Sequence, residues 1–166
     1  MDVLGFAMKM EKDGETYYRL MAEGTTEAGF VGIFNCLAEA EVRHYNVLAA
    51  MKEKAPATLP ADTVPDDVKN IFTELIEAGR VPEVDPNAID KYVEQYTFAQ
   101  EVERKSAAFY REKAEEVGDD DAKAIFLKLA KEEERHVWLL GNIIESVSRP
   151  VFNWVEFAEW NNRDEY

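Results

Sequence analysis

Residues 33–48, IFNCLAEAEVRHYNVL, and residues 125–140, IFLKLAKEEERHVWLL, are two versions of one segment set 92 positions apart. Ile33, Phe34, Leu37, Ala38, Glu41, Arg43, His44 and Leu48 return as Ile125, Phe126, Leu129, Ala130, Glu133, Arg135, His136 and Leu140. Their apolar members recur every three or four residues, the period of an α-helix. The match also runs upstream, where Phe6, Ala7, Glu11, Tyr18, Arg19, Ala22 and Glu23 return as Phe98, Ala99, Glu103, Tyr110, Arg111, Ala114 and Glu115. With Glu53 and Glu145, 16 of 54 compared positions are identical without a gap, where composition alone gives roughly three. The chain is therefore two copies of one helical hairpin.

Four long helical segments follow from the periodicity: about 2–23, 25–54, 86–117 and 119–148. Gly24 stops the first, and Thr25 or Thr26 can cap the second. Asp85 is an N-cap for the third with Pro86 at its first position, Gly118 ends it, and Asp119 can start the fourth. Helices this long and uniform specify an all-α four-helix bundle. Between the hairpins, residues 55–87 hold five of the six prolines and a net charge of −5, with a short helix expected after Pro65-Asp66-Asp67 and stopped at Gly79. A connection of this length can travel the whole length of a bundle, as in a ferritin-like arrangement. The domain reading is thus a bundle over 1–149, with hairpins at about 2–54 and 86–148 and the crossover at 55–87, followed by an aromatic tail at 150–166. Val151, Trp154, Val155 and Ala158 share one helical face of that tail, either packing back on the bundle or forming a dimer contact.

Composition narrows the function. Nineteen Lys plus Arg against 34 Asp plus Glu give a net charge of −15, which argues against nucleic acid and against an anionic membrane surface. Cys36 is the only cysteine, so an internal disulfide or a four-thiolate centre within these residues is excluded. No apolar run approaches the roughly 20 residues of a membrane span, and the N-terminus has no signal-like apolar stretch, so the expected compartment is the cytoplasm.

The chemically suggestive residues of the repeat are Glu11, Glu41 and His44 in one half and Glu103, Glu133 and His136 in the other. Glu41/His44 and Glu133/His136 are spaced i, i+3, which puts both side chains on one helix face about 5–6 Å apart. The midpoint between Glu11 and the Glu41/His44 pair falls in the first turn, and that between Glu103 and the Glu133/His136 pair at Gly118-Asp119. All six groups therefore lie at one height, roughly 22 Å from their turns, at the middle of the bundle. Four carboxylates buried together without a cation would repel one another and take up protons. Two divalent ions cancel their charge, and a Glu from each of two helices with a Glu-x-x-His from each of the others is the ligand set of di-iron and di-manganese carboxylate bundles. Tyr18 and Tyr110, two turns beyond Glu11 and Glu103 on the same faces, are core tyrosines, hydrogen-bond partners of groups around the metals, or suppliers of electrons. Arg43 and Arg135 pair with neighbouring carboxylates or face solvent. Cys36, off the ligand face, reads as inert, Glu15 as a surface residue, and Met8, Met10 and Met21 as core filling.

The stretches AMKMEKDGETYYRLMAE (7–23) and IFNCLAEAEVRHYNVL, echoed by AQEVERKSAAFYREKAEE (99–116) and IFLKLAKEEERHVWLL, resemble the rubrerythrin branch of the ferritin-like superfamily. The resemblance covers about residues 3–54 and 93–147. It implies a di-iron centre in which Glu41 and Glu133 bridge, Glu11 and Glu103 are terminal, and His44 and His136 each bind one iron. Manganese or zinc also suits such donors. Rubrerythrins proper carry a further carboxylate three residues beyond the third-helix Glu, where this chain has Ser106, with Gly14 as its repeat mate. They also carry a four-cysteine rubredoxin domain, for which this sequence has no counterpart, so electrons must come from a separate donor protein.

The resemblance implies an oxidoreductase that reduces hydrogen peroxide in the context of oxidative stress, with its catalytic residues acting through the metals. Ferroxidase chemistry with dioxygen and iron handling is the alternative activity. A non-catalytic, metal-stabilised scaffold whose tail docks on a partner is the alternative of another class. A homodimer is expected.

Overall fold

The computed structural model describes residues 2–25, 28–60 and 89–148. Within them lie four α-helices and no strand: α1 (Val3–Glu23), α2 (Ala28–Lys52), α3 (Ile89–Glu116) and α4 (Asp120–Ser148). The caps expected at Thr26 and at Asp85-Pro86, the short crossover helix and the aromatic tail lie outside the described residues.

Local chemistry sets the helix ends. The Asp2 carboxylate accepts the Gly5 N–H at 2.7 Å and caps α1, and Asp119 accepts the Ala122 N–H at 2.7 Å at the start of α4, satisfying donors that the first turn of a helix leaves free. At the end of α2, Ala55 N–H reaches Ala50 O at 3.0 Å and Lys54 N–H reaches Met51 O at 3.1 Å. This is a Schellman closure, with Lys54 in the left-handed region at φ 55° where glycine is usual.

Two apolar clusters fill the bundle, one at each end. Tyr18, Phe30, Phe34, Leu37, Tyr96, Leu140 and Ile143 form the first, and Ala7, Val47, Leu48, Tyr110, Phe126 and Leu129 belong to the second. Their membership gives the topology. The first cluster takes the N-terminal part of α2 and the N-terminal part of α3, while the second takes their C-terminal parts. The two helices therefore run parallel, so the end of α2 and the start of α3 lie at opposite ends of the bundle. Leu59, beyond the end of α2, is buried in the second cluster, and Lys128 Nζ donates to its carbonyl at 2.6 Å. The result is the ferritin-like bundle of two hairpins expected from the repeat. Gly141 of α4 leaves room for the Gln100 side chain of α3, whose Nε2 would stand 2.9 Å from a Cβ there and donates to the Val137 carbonyl at 2.9 Å.

Candidate metal centre

Between the two apolar clusters lies a polar layer. Glu11 of α1, Glu41 and His44 of α2, Glu103 of α3, and Glu133 and His136 of α4 are all buried, none more than 4% exposed. Such burial of six ionisable groups is costly unless they are paired or hold a cation. The helix register explains the convergence: each residue lies on the stripe of its helix that also supplies core residues, such as Leu37 and Leu48 on α2 and Leu129 and Leu140 on α4.

The layer divides into two groups that share members. One is Glu11, Glu41, His44 and Glu133; the other is Glu41, Glu103, Glu133 and His136. In each, one ligand atom per residue lies within 4.8 Å of all the others. His44 Nδ1 is 3.1 Å from Glu133 Oε1 and 3.2 Å from Glu11 Oε2, and His136 Nδ1 is 3.2 Å from Glu133 Oε2. The imidazole rings stack at 5.8 Å between centroids and 18° between planes. Glu41 Oε1, both oxygens of Glu133 and both nitrogens of His136 are buried without a hydrogen-bond partner among the described residues. Hard oxygen donors and imidazole nitrogens facing one another in this state fit two divalent cations, with iron, manganese and zinc all compatible with the set.

The electrostatics describe the same site holding protons. Burial and the charge of Glu133 push Glu41 well above the ordinary carboxylate range, and the same two causes raise Glu103 to about 8. Burial opposes the charged form of both histidines. The charge of Glu133 and the hydrogen bonds that the ring donates to Glu11 and Glu132 nevertheless hold His44 well above its ordinary value, and Glu103 and Glu133 raise His136 to about 10. Burial works to raise Glu133 too, but the imidazoliums of His44 and His136 keep it well below. Protons thus neutralise the layer where cations are absent, and cation binding must displace them.

Tyr18 and Tyr110 brace the layer reciprocally. The Tyr18 hydroxyl of α1 donates to Glu103 Oε1 of α3, and the Tyr110 hydroxyl of α3 donates to Glu11 Oε1 of α1. Burial and the neighbouring carboxylates raise both phenols well above 10, so they stay donors.

On the α1/α3 side the layer opens into a cavity of about 280 Å³ whose floor includes Glu11, Glu41 and Glu103 and whose walls include Tyr17, Phe98 and Val102. Gly14 keeps it open, since a Cβ there would meet Glu41 Cδ at 3.3 Å. Ser106, buried beside it, directs its hydroxyl to Met10 Sδ at 3.5 Å.

The Rubrerythrin family model matches residues 2–143. The chain belongs to the rubrerythrin family. No curated protein and no solved structure is significantly similar to it. Family membership accords with the bundle and with the buried carboxylate–histidine layer, while the 166 residues, with Cys36 alone, hold no four-cysteine rubredoxin centre. Among the described residues, no helix is long and apolar enough to cross a membrane.

The structure brings all six repeat residues and both tyrosines of the sequence reading into one layer. Arg43 is mostly buried and sits 3.5 Å from Glu132. Glu15 pairs with Lys12 at 2.6 Å on the surface, Met8, Met10 and Met21 pack against the core, and burial raises the Cys36 thiol above its ordinary value. Glu132 escaped the sequence reading. It is buried and its Oε2 lies 3.0 Å from His44 Nε2. Comparison of the two halves hides it, because its repeat mate is Ala40. Its position three residues after Leu129 and four before His136, on the apolar stripe, was the available signal.

Proposed function

We propose that this rubrerythrin-family protein is a two-metal oxidoreductase, with iron as its resident metal, that reduces hydrogen peroxide using electrons from a separate donor protein. The observation that carries the reading is the pair of four-residue groups that share Glu41 and Glu133 and open into one small cavity. Two bound ferrous ions would supply the pair of electrons that a peroxide O–O bond takes up. The chain's own part is positioning. Glu41 and Glu133 stand between the two groups and can serve both, with Glu11 and His44 completing one and Glu103 and His136 the other. Tyr18 and Tyr110 fix the carboxylates that belong to one group each. Gly14 leaves the cavity side of Glu41 uncovered, so a molecule the size of a peroxide can reach the layer, while the two apolar clusters close it above and below.

On this reading residues 1–149 form the bundle domain and 150–166 an appended tail, and the protein acts in the cytoplasm as a homodimer. The test is anaerobic loading with Fe(II), followed by mixing with stoichiometric hydrogen peroxide or with dioxygen. The proposal expects oxidation by peroxide to be much faster. Faster reaction with dioxygen, with repeated turnover of added Fe(II), would replace it with a ferroxidase.

A further inference from the structure

The two halves of the layer differ in what meets the second imidazole nitrogen of each histidine. His44 points Nδ1 at Glu11 and Glu133, at 3.2 and 3.1 Å, and Nε2 at Glu132 Oε2, at 3.0 Å. His136 likewise points Nδ1 at Glu133, Glu41 and Glu103, at 3.2, 3.6 and 3.6 Å, but its buried Nε2 has no hydrogen-bond partner among the described residues. The repeat accounts for the difference: position 132 is Glu and its mate, position 40, is Ala. Glu132 is itself buried, its Oε2 also lies 3.5 Å from the Arg43 guanidinium, and its Oε1 is buried without a partner. A half-partnered buried carboxylate costs stability, and the chain carries that cost on one side of the site only.

From this geometry we infer that Glu132 is a positioning residue that makes the two metal positions unequal. It rests on the two-metal reading above. By accepting the Nε2–H of His44, Glu132 orients the ring, reserves Nδ1 for the metal and makes that nitrogen a stronger donor. Among the described residues, His136 has no group doing the same. The position built from Glu11 and His44 therefore binds a divalent cation more tightly and fills first.

The experiment uses the full-length metal-free protein, titrated anaerobically with Co(II) and followed by its visible absorption. Substitutions at 132 are placed in two single-position backgrounds. Glu103→Ala leaves the Glu11/His44 group whole, and Glu11→Ala leaves the Glu103/His136 group whole. In the Glu103→Ala background, Glu132→Ala should weaken Co(II) binding roughly 10- to 100-fold and alter the ligand-field bands. Glu132→Gln, whose amide oxygen still accepts the Nε2–H, should restore part of both. In the Glu11→Ala background, neither substitution should change affinity or spectrum by more than about twofold. Equal weakening in both backgrounds, or none in either, would overturn the assignment while leaving the two-metal reading intact. Failure of the unsubstituted protein to bind Co(II) would overturn that reading itself. Far-UV circular dichroism of each variant identifies loss of folding, and Glu132→Gln, which keeps the side-chain volume, carries the comparison if Glu132→Ala does not fold.

Discussion

Replacing Tyr18 by Phe removes one hydroxyl from a buried site and little else, so its effect isolates the brace between α1 and α3. The hydroxyl donates to Glu103 Oε1, and Tyr18 is 3% exposed, so water cannot readily take its place. The size of the effect depends on the charge of Glu103, which burial and Glu133 raise to about 8. At pH 6 in the metal-free protein Glu103 holds its proton, and loss of a hydrogen bond to a neutral group costs about 1 kcal/mol. At pH 9 it is ionised, and loss of a donor to a buried carboxylate costs ~1.5–3 kcal/mol. A cost near 2 kcal/mol corresponds to a fall in Tm of roughly 4–8 °C in a domain of this size. Urea unfolding of wild type and Tyr18→Phe at the two pH values measures both figures. A change of less than about 0.5 kcal/mol in Tyr18→Phe at both pH values, or a larger cost at pH 6 than at pH 9, would show that this hydroxyl does not brace an ionising Glu103.

Further outcomes follow from the same structure. Glu103 and His136 have folded-state pKa values raised to about 8 and about 10, so between pH 5 and 9 the native metal-free protein binds more protons at these groups than the unfolded chain and its stability falls as pH rises. Thermal melts should show that decline, and added Fe(II) under anaerobic conditions should reduce it; a metal-free Tm that climbs steadily from pH 5 to 9 contradicts the assignment. Cation binding displaces these protons, so calorimetric titration in buffers of different ionisation enthalpy should register proton release, with affinity rising with pH. Gly14→Val puts a branched side chain where even a Cβ lies 3.3 Å from Glu41 Cδ, and should lower Co(II) affinity roughly 10- to 100-fold while the α-helical dichroism is kept. Lys54→Gly relieves the left-handed residue after α2 and should raise stability by ~0.5–1 kcal/mol in urea; a destabilised variant would show that the Lys54 side chain matters more than its backbone.

Much of this arrangement was legible in the sequence because the chain repeats itself. A period of 92 residues with Glu-x-x-His in each copy dictated two hairpins, equal heights and a common layer; it paired Tyr18 with Tyr110 but not with the carboxylates they brace. Symmetry was also what concealed the rest. Glu132 lies where the halves differ, in a run of three glutamates that reads as a charged surface. Its place on the apolar stripe hinted at burial, but its partner, His44 Nε2, is supplied by α2. Gly14 looked like a gap opposite Ser106, and its use, keeping a Cβ away from Glu41, depends on a helix spacing no pattern of residues states. The connection between the hairpins was legible only as a length, which the parallel run of α2 and α3 then requires.

The central claim is that two cations share Glu41 and Glu133 while each has its own Glu and His. Metal stoichiometry of the reconstituted, desalted protein tests it most directly, using wild type and the Glu→Ala variants at 11, 41, 103 and 133. Wild type should hold two iron ions per chain, Glu11→Ala and Glu103→Ala one each, and Glu41→Ala and Glu133→Ala none. Two ions retained in Glu41→Ala or Glu133→Ala, or a single ion in wild type, would contradict it.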